Sequence, residues 1–272
     1  MGSVLILSDF VGSADVAMAV SRAVLTRMGH RALCLPTALI SNIWSQGEPA
    51  QLDTTDYLRA ALDTWERRGL RPEGVLISYL AGQAQAAFVA EKCGSWREQG
   101  VKIFLDPVFA DNGHLYRGIG PERLALLRGL LPLVDYVLPN ATEARFLTGL
   151  SEPEQAARAL HRMGAGAALV TGVPQRGGSA VVLCGAAGMR LFPYTPVPRR
   201  GRCVRCPVHR RHPAGRYGGG KRQQRRFHRK NLDRPRPVRP HPPHRPAGGA
   251  AFLRDSKNTG EFAFRCEFAR VP

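Results

Sequence analysis

A regular alternation of short apolar runs with longer amphipathic segments constrains the fold of this 272-residue chain more than any other feature. The apolar runs have the length of strands, and they are apolar throughout rather than at every second position. Strands of this kind are buried on both sides, as in a parallel sheet between two layers of helices. The predicted strands are Val4–Leu7, Ala32–Leu35, Gly74–Ser78, Val101–Leu105, Tyr136–Leu138 and Ala167–Thr171, followed by a hairpin of Ser179–Cys184 and Met189–Tyr194.

Amphipathic segments of helical length separate these strands. The predicted helices are Ala14–Met28, Thr54–Arg68, Ala84–Glu98, Pro121–Leu133 and Glu152–Met163. Strands and helices that alternate along the chain form α/β domains, because each helix returns the chain to the start of the next parallel strand. The first part of the chain is therefore predicted to be a doubly wound α/β domain, with a mostly parallel sheet and helices on both faces.

The composition changes abruptly at Arg199. Residues 199–272 hold 21 of the chain's 39 Lys and Arg but 4 of its 21 Asp and Glu, and so carry +17 of the net charge of +18. Arg, His, Pro and Gly dominate this segment and no apolar period recurs, which is the composition of a disordered chain. We expect a body of residues 1–198 with a near-neutral charge, and a basic tail of residues 199–272 that is irregular or disordered.

Composition also bears on the compartment and on the partners of the protein. The apolar run Ser3–Leu7 is too short for a secretory signal, and no apolar stretch approaches the ~18 residues of a membrane span. The six cysteines are too scattered for a disulfide scaffold. We expect a cytoplasmic protein without a membrane partner, whose near-neutral body binds a small molecule rather than nucleic acid.

Polar side chains follow five of the predicted strands. Ligands of open α/β sheets bind outside the carboxyl ends of the strands, so these residues are the first candidates for a site. They are Ser8-Asp9, Tyr79, Asp106-Pro107, Asn140-Ala141-Thr142-Glu143 and Thr171-Gly172.

Five motifs occur here in the order and spacing of the bacterial pyridoxal/pyridoxamine kinases, which belong to the ribokinase-like superfamily. Residues 3–198 resemble this family. The motifs are Pro36-Thr37-Ala38-Leu39-Ile40-Ser41-Asn42, Leu52-Asp53-Thr54-Thr55-Asp56-Tyr57, Asp106-Pro107-Val108 with Asp111-Asn112-Gly113, Leu138-Pro139-Asn140-Ala141-Thr142-Glu143-Ala144, and Val170-Thr171-Gly172-Val173.

The resemblance implies an ATP site with Mg²⁺. It places Asn140 and Glu143 in the shell of the metal and the phosphates, Asp106 and Asp111 as acidic residues near the triphosphate, and Thr171 as a hydroxyl beside the phosphates. Asp106, Asp111 and Glu143 are the expected Mg²⁺ ligands. The same residues have structural alternatives: Asn140 and Glu143 have the spacing of a helix-capping box, and the other three suit turns and strand ends.

The resemblance also implies a B6 vitamer as the substrate. It places the Ser8 hydroxyl against the pyridine ring and the Tyr79 ring beside it, whereas a capping serine and a core tyrosine are the structural alternatives. Two segments depart from the family pattern and leave the preferred vitamer open. Gly12-Ser13-Ala14-Asp15 replaces the usual Gly-Tyr loop, and Ile43-Trp44-Ser45-Gln46-Gly47 lacks the usual Thr or Tyr.

The catalytic motif of the family is absent from the place where it is due. After Pro198 the resemblance predicts Gly-Thr-Gly-Asp or Gly-Ala-Gly-Asp, whose backbone amides bind the transferred phosphate and whose Asp accepts the proton of the alcohol. The chain instead reads Arg199-Arg200-Gly201-Arg202-Cys203, and residues 199–272 contain no Gly-x-Gly-Asp. We therefore expect no intact catalytic residue and an impaired turnover.

Our hypothesis is that a frameshift removed this motif. One synonymous codon series for residues 199–206 spells Gly-Ala-Gly-Asp-Ala-Phe-Ala when it is read one nucleotide later. The same shift over residues 227–231 permits Ser-Ile-Ala-Lys-Thr, which resembles a later helix of the family. A functional tail is the alternative: its charge suits nonspecific binding to nucleic acid, whereas Cys203, Cys206, His209 and His212 are spaced too tightly for a usual zinc finger.

The predicted function is ATP-dependent phosphorylation of the 5′-hydroxymethyl group of pyridoxal, pyridoxine or pyridoxamine, in pyridoxal 5′-phosphate salvage. The resemblance also implies a homodimer. Two alternatives are a hydroxymethylpyrimidine kinase and a catalytically dead ligand-binding protein with a basic tail that binds nucleic acid.

Overall fold

Nine strands form one mixed sheet in the structure, a computed structural model that describes residues 2–43, 46–117, 119–176 and 178–194. The strands of this sheet are β1 (Ser3–Val11), β2 (Arg31–Ile40), β3 (Gln51–Asp53), β4 (Gly74–Ile77), β5 (Lys102–Leu105), β8 (Tyr136–Val137), β9 (Ala167–Gln175), β10 (Gly178–Gly185) and β11 (Gly188–Tyr194). A separate hairpin consists of β6 (Ala110–Asp111) and β7 (His114–Leu115). The basic tail lies outside the described residues.

Six α-helices connect the strands in the described part of the chain. They are α1 (Met18–Arg27), α2 (Thr55–Arg67), α3 (Gln83–Glu98), α4 (Pro121–Leu130), α5 (Ala141–Thr148) and α6 (Pro153–Arg162), with a 3-10 turn at Leu131–Leu133 after α4. No helix in the described part of the chain is long and apolar enough to cross a bilayer.

The strand order in the sheet is β11-β10-β9-β8-β5-β4-β1-β2-β3. The six strands from β9 to β2 are parallel to one another. The remaining pairings, of β3 with β2, of β10 with β9 and of β11 with β10, are antiparallel. The predicted α/β fold with a mostly parallel sheet is thus confirmed. The hairpin of β10 and β11 is also confirmed.

The core lies on both faces of the sheet. Val4, Leu5, Ile6 and Leu7 are all buried, and successive residues of a strand point to opposite faces. Leu5 and Leu7 belong to the main apolar cluster, which also takes in buried side chains of α2 through α6. At ~25 cal/mol per Å² of apolar surface removed from water, this burial is the main stabilising term of the body.

Several boundaries differ from the sequence prediction. β1 continues to Val11 rather than ending at Leu7, because it still pairs with β2 after β4 has ended. Thr171 likewise lies inside β9 rather than at its end. Helix α1 begins at Met18 rather than Ala14, because Ala17 has a φ of 51° that no helix tolerates. The short strands β3, β6 and β7 were not predicted.

Candidate functional site

The order of the strands reverses at β1. The chain passes from β1 to β2 on one side and later returns to β4 on the other side, so β1 and β4 flank the topological switch point. Open α/β sheets bind ligands in the space outside the carboxyl ends of such strands. We call this space the crevice, and its residues are Ser8 and Asp9 from β1 and Tyr79 after β4.

Ser8 and Asp9 lie at an irregularity in the pairing of β1 with β2. Ser8 is opposite Pro36 and Asp9 is opposite Ala38, so that Thr37 is an extra residue of β2. The fully buried Ser8 donates a hydrogen bond from Oγ to Asp9 Oδ1 at 3.1 Å. Burial raises the pKa of the Asp9 carboxyl, while the hydrogen bond from Ser8 opposes that rise. A carboxyl group is therefore held in a poorly solvated position at the mouth of the crevice.

Tyr79 is held from three sides. Its carbonyl oxygen accepts a hydrogen bond from Thr37 Oγ1 at 2.7 Å, and its hydroxyl accepts one from Gln51 Nε2 at 3.2 Å. The guanidinium of Arg123 lies 5.0 Å from the centre of the ring, over one of its faces, and also donates to the carbonyl oxygen of Leu80. Arg123 thus covers one ring face and fixes the loop after β4.

Gln85 is a structural residue of the crevice that sequence reasoning missed. Its side chain is fully buried at the start of α3, accepts a hydrogen bond from Ala81 N (2.8 Å), and donates to Thr37 O (3.0 Å) and Thr55 Oγ1 (3.2 Å). It joins the loop that carries Tyr79 to the end of β2 and the start of α2. A polar residue among the alanines at 84, 86 and 87 was the available signal.

The second group of predicted residues lies after β5 and β8 and within β9, and these three strands are consecutive neighbours in the sheet. We call Asp106, Asn140, Glu143 and Thr171 the strand-end row. Asp106 directly follows β5 and is 8% exposed, and its backbone amide bonds to Ile77 O at 2.8 Å. The row therefore begins next to the end of β4.

Asn140 and Glu143 form a complete capping box at the start of α5. Asn140 Oδ1 accepts from the Glu143 amide at 2.8 Å, and Glu143 Oε2 accepts from the Asn140 amide at 2.8 Å. The other oxygen of the fully buried Glu143, Oε1, accepts from Phe109 N at 3.2 Å, and Asn140 Nδ2 donates to Ala110 O at 2.8 Å. The structural alternative considered for this pair is therefore present.

Asp111 lies in the hairpin of β6 and β7 beside the row. Its carboxylate accepts hydrogen bonds from the backbone and side chain of Asn112, which has a φ of 49°. Thr142 Oγ1 accepts from Gly113 N at 3.0 Å and Arg145 donates to Gly113 O at 3.0 Å, so α5 fixes the hairpin. Asp111 thus remains on an ordered turn near the row.

Thr171 completes the row. It pairs with Asn140 through an isolated parallel bridge, and its amide donates to Pro139 O at 2.9 Å. Its hydroxyl lies 3.4 Å from the same oxygen, which leaves it only weakly engaged. The following Gly172 has a φ of 69° and lies within β9 at an irregularity, where the register with β10 shifts.

Within the described residues, no three His, Cys, Asp or Glu side chains lie close enough together to form a metal site made of protein ligands alone. Mg²⁺ at a nucleotide is usually held by one or two carboxylates, by phosphate oxygens and by water. Asp106 and Asp111 suit that smaller role. Glu143 suits it less well, because backbone amides occupy both of its oxygens.

Comparison with known proteins identifies the family. A profile of the phosphomethylpyrimidine kinase family matches residues 24–200. The chain belongs to this family. A Schizosaccharomyces pombe protein of this kind, provisionally named a pyridoxal kinase, is 30% identical over 122 residues. That match spans 43% of this chain but only 38% of the fission yeast protein.

Solved structures of pyridoxal kinases share the fold. The enzyme from Lactobacillus plantarum is 28% identical, with a TM-score of 0.64 over 73% of this chain and 74% of its own. A Bacteroides thetaiotaomicron protein, provisionally named a phosphomethylpyrimidine kinase and crystallised with pyridoxal, is 24% identical with a TM-score of 0.65 over 72% and 73% of the two chains. An ADP complex of Bacillus subtilis pyridoxal kinase has the same fold at 19% identity, a TM-score of 0.62, and coverage of 72% and 76%. The predicted pyridoxal kinase resemblance is confirmed.

Proposed function

We propose that the body of this chain is that of a pyridoxal kinase, with a B6 vitamer in the crevice and ATP along the strand-end row. The observation that carries this proposal is the division of the site. Ser8 and Tyr79 lie at the switch point. Asp106 and Asn140 follow the next two strands, and Thr171 of β9 pairs with Asn140. The Lactobacillus plantarum enzyme, which matches nearly three quarters of the chain, supports the choice of vitamer.

The residues of the crevice would bind and orient the vitamer. Arg123 leaves one face of the Tyr79 ring for stacking on a flat heterocycle, and Ser8 and Asp9 supply polar atoms beside it. The hydroxymethyl group to be phosphorylated would then point along the carboxyl ends of the strands toward the row. Tyr79 and Ser8 are thus proposed substrate-binding residues.

The strand-end row would hold the nucleotide. Thr171 offers a weakly engaged hydroxyl, and the irregularity of β9 at Gly172 would offer backbone amides to the phosphates. Mg²⁺ would neutralise phosphate charge, with Asp106 and Asp111 as its carboxylates and with Glu143 acting through water. We propose that the capping box of Asn140 and Glu143 supports this site chiefly by shaping the backbone around it.

We further propose that turnover is impaired, because the chain lacks the Gly-x-Gly-Asp motif. A general base contributes about 10²–10⁴-fold and oriented anion-binding amides about 10²–10³-fold to such reactions. The end of the family match at residue 200 supports a break in the family pattern near Arg199. Resequencing the DNA around codon 199 tests the frameshift; a continuous frame, with a close relative that shares the tail, would reject it.

A hydroxymethylpyrimidine kinase is the second candidate, favoured by the description of the family that matches the chain. Titration calorimetry of the purified full chain separates the two. We expect binding of ATP with Mg²⁺ and of pyridoxal, pyridoxine or pyridoxamine, and weaker binding of hydroxymethylpyrimidine. Tighter binding of hydroxymethylpyrimidine than of the B6 vitamers would make the hydroxymethylpyrimidine kinase the preferred candidate. Binding of neither class of compound would reject both candidates.

A homodimer is also proposed, and an exposed apolar row supports it. Three register partners lie side by side on β1, β2 and β3, namely Phe10, Leu39 and Leu52. Each of these side chains is at least 40% exposed. Apolar surface of this kind is typical of contacts between subunits. Sedimentation of the full chain and of Leu52→Glu tests the dimer, which the variant should weaken; a wild-type monomer would reject it. A cytoplasmic location remains a proposal.

The tail allows one further candidate, a binding protein without turnover whose basic residues 199–272 contact nucleic acid. The charge of +17 carries this alternative. We expect any such binding to weaken steeply with salt, to show no preference for sequence, and to vanish when residues 199–272 are deleted. A sequence preference above the salt-dependent background would instead indicate an evolved function.

A further inference from the structure

Asp9 lies level with Tyr79 on the neighbouring strand. Leu7 of β1 is the register partner of Ile77 of β4, and the two strands are parallel. Asp9 and Tyr79 each follow two residues later, so they lie at the same height just beyond the paired part of β1 and β4, while Asp9 still pairs with Ala38 of β2. Both residues are therefore at the mouth of the crevice.

The side chain of Asp9 belongs to the face of β1 that packs toward Tyr79. Residues two apart on a strand share a face, so Asp9 shares its face with Val11. Val11 packs in a small apolar cluster with Ala38, and Tyr79 packs against that cluster. Ala38 is also the register partner of Asp9. The register thus places Asp9 on the face of β1 that carries this cluster, against which Tyr79 packs.

Asp9 has no cationic partner among the described residues. The ion pairs found there join Lys92 to Asp63 and Glu66, and Lys102 to Asp135. Its one side-chain partner is the neutral hydroxyl of Ser8. Burial of an ionisable group without an opposite charge destabilises a protein, and groups of this kind are concentrated in binding sites.

From this placement we infer that Asp9 determines specificity in the crevice by pairing with a protonated amine on the heteroaromatic substrate. This inference rests on the proposed function. A carboxylate in a poorly solvated position gains more from a cation than from a neutral group, and a primary amine is protonated at neutral pH. The crevice would then favour pyridoxamine, with its aminomethyl group, over pyridoxine, with a hydroxymethyl group in the same place.

The test compares Asp9→Asn with the wild-type full chain in titrations with pyridoxamine and pyridoxine. Asp63→Asn is the matched control, because it removes a carboxylate that is 55% exposed on α2. We expect wild type to bind pyridoxamine more tightly. We expect Asp9→Asn to lose about tenfold or more of the affinity for pyridoxamine and less than about threefold for pyridoxine, and the control to bind as wild type does.

Different results of these titrations would overturn the role of Asp9 and the proposed function. An equal loss for both vitamers, or no loss, would overturn the role of Asp9 while leaving the kinase body intact. Failure of wild type to bind either vitamer would overturn the proposed function and this inference with it.

Thermal melting at pH 7 provides the second measurement. The raised pKa means that folding disfavours the ionised form, so the carboxylate destabilises the protein once the pH exceeds the folded-state pKa. Asp9→Asn should therefore melt at or above the wild-type temperature. A fall of several degrees in the melting temperature of Asp9→Asn would instead show that Asp9 stabilises the irregular pairing of β1 with β2, and would overturn the inference.

Discussion

The crevice and the strand-end row use polar groups in opposite ways. In the crevice, Ser8 and Asp9 bond mainly to each other, and one face of the Tyr79 ring is left uncovered by Arg123. In the row, the capping box of Asn140 and Glu143 bonds to the backbone of its own helix and to that of Phe109 and Ala110 at the start of β6. The polar groups of the row thus support the fold, whereas we propose that those of the crevice contact a ligand.

Under the proposed function, this difference would let one sheet edge bind two kinds of ligand. A vitamer is small and is recognised by side-chain atoms, which must remain able to form further hydrogen bonds. A triphosphate is bound largely by backbone amides and a metal ion, so the side chains around it can be used to hold the backbone in place. Substitutions in the crevice should therefore change binding, whereas substitutions of the capping box should change stability.

The largest expected effect is that of Glu143→Ala. This change leaves buried amides of Asn140 and Phe109 without an acceptor, so the free energy of unfolding should fall by about 2–4 kcal/mol in urea denaturation. The matched control is Glu122→Ala, an exposed residue in the first turn of α4, which should cost less than about 1 kcal/mol. Unchanged stability with lost ATP binding would show that Glu143 acts on the ligand instead.

Gln85→Leu tests whether the crevice also contains a structural element. The change removes the acceptor of Ala81 N and the donor to Thr37 O inside the core, and should destabilise the protein by about 1–3 kcal/mol. Because Gln85 fixes the Tyr79 loop, affinity for the vitamer should fall as well. Gln83→Leu, at the exposed start of the same helix, is the control. Equal stabilities of the two variants would contradict this assignment.

Tyr79→Leu should change binding more than folding. Leucine keeps an apolar side chain but loses the ring, so pyridoxal should bind about tenfold more weakly, while the free energy of unfolding falls by less than about 1.5 kcal/mol. Tyr79→Phe keeps the ring and should bind nearly as wild type does. If the phenylalanine variant loses as much affinity as the leucine variant, the hydroxyl rather than the ring face is the contact.

Ser8→Ala should have the smallest effect. Alanine fills most of the same buried space and removes one hydrogen bond to Asp9, so stability should change by about 1 kcal/mol or less. Affinity for pyridoxal should fall by about three- to tenfold in the same titrations. A fall of more than about 2 kcal/mol in the free energy of unfolding would show that Ser8 supports the fold rather than the binding of the ligand.

The fold was predictable because its signal is long and repeated. Continuous apolar runs separated by helical segments identify a parallel sheet, and each predicted strand of the body is present. The short strands β3, β6 and β7 were missed because two or three residues carry no period. The extension of β1 through Ser8 and Asp9 depends on pairing with β2, which is a tertiary contact that a local pattern does not contain.

The candidate site was only partly readable from the sequence. Residues that follow the strands could be located, because parallel strands bring their carboxyl ends to one edge. The roles could not be read in the same way. The spacing of Asn140 and Glu143 fits a capping box and a metal shell equally well, and only the coordinates show that the box is formed. The interactions of Gln85 and Arg123 join distant segments and leave no local motif.

The central claim is that a kinase body which binds its ligands lacks turnover because Gly-x-Gly-Asp is missing. It is tested most directly by the rate of pyridoxal 5′-phosphate formation by the purified full chain, at concentrations of pyridoxal and Mg·ATP that titration shows to be saturating. The Lactobacillus plantarum pyridoxal kinase serves as the reference. We predict a rate at least about a thousandfold below the reference. A rate near that of the reference would contradict the account.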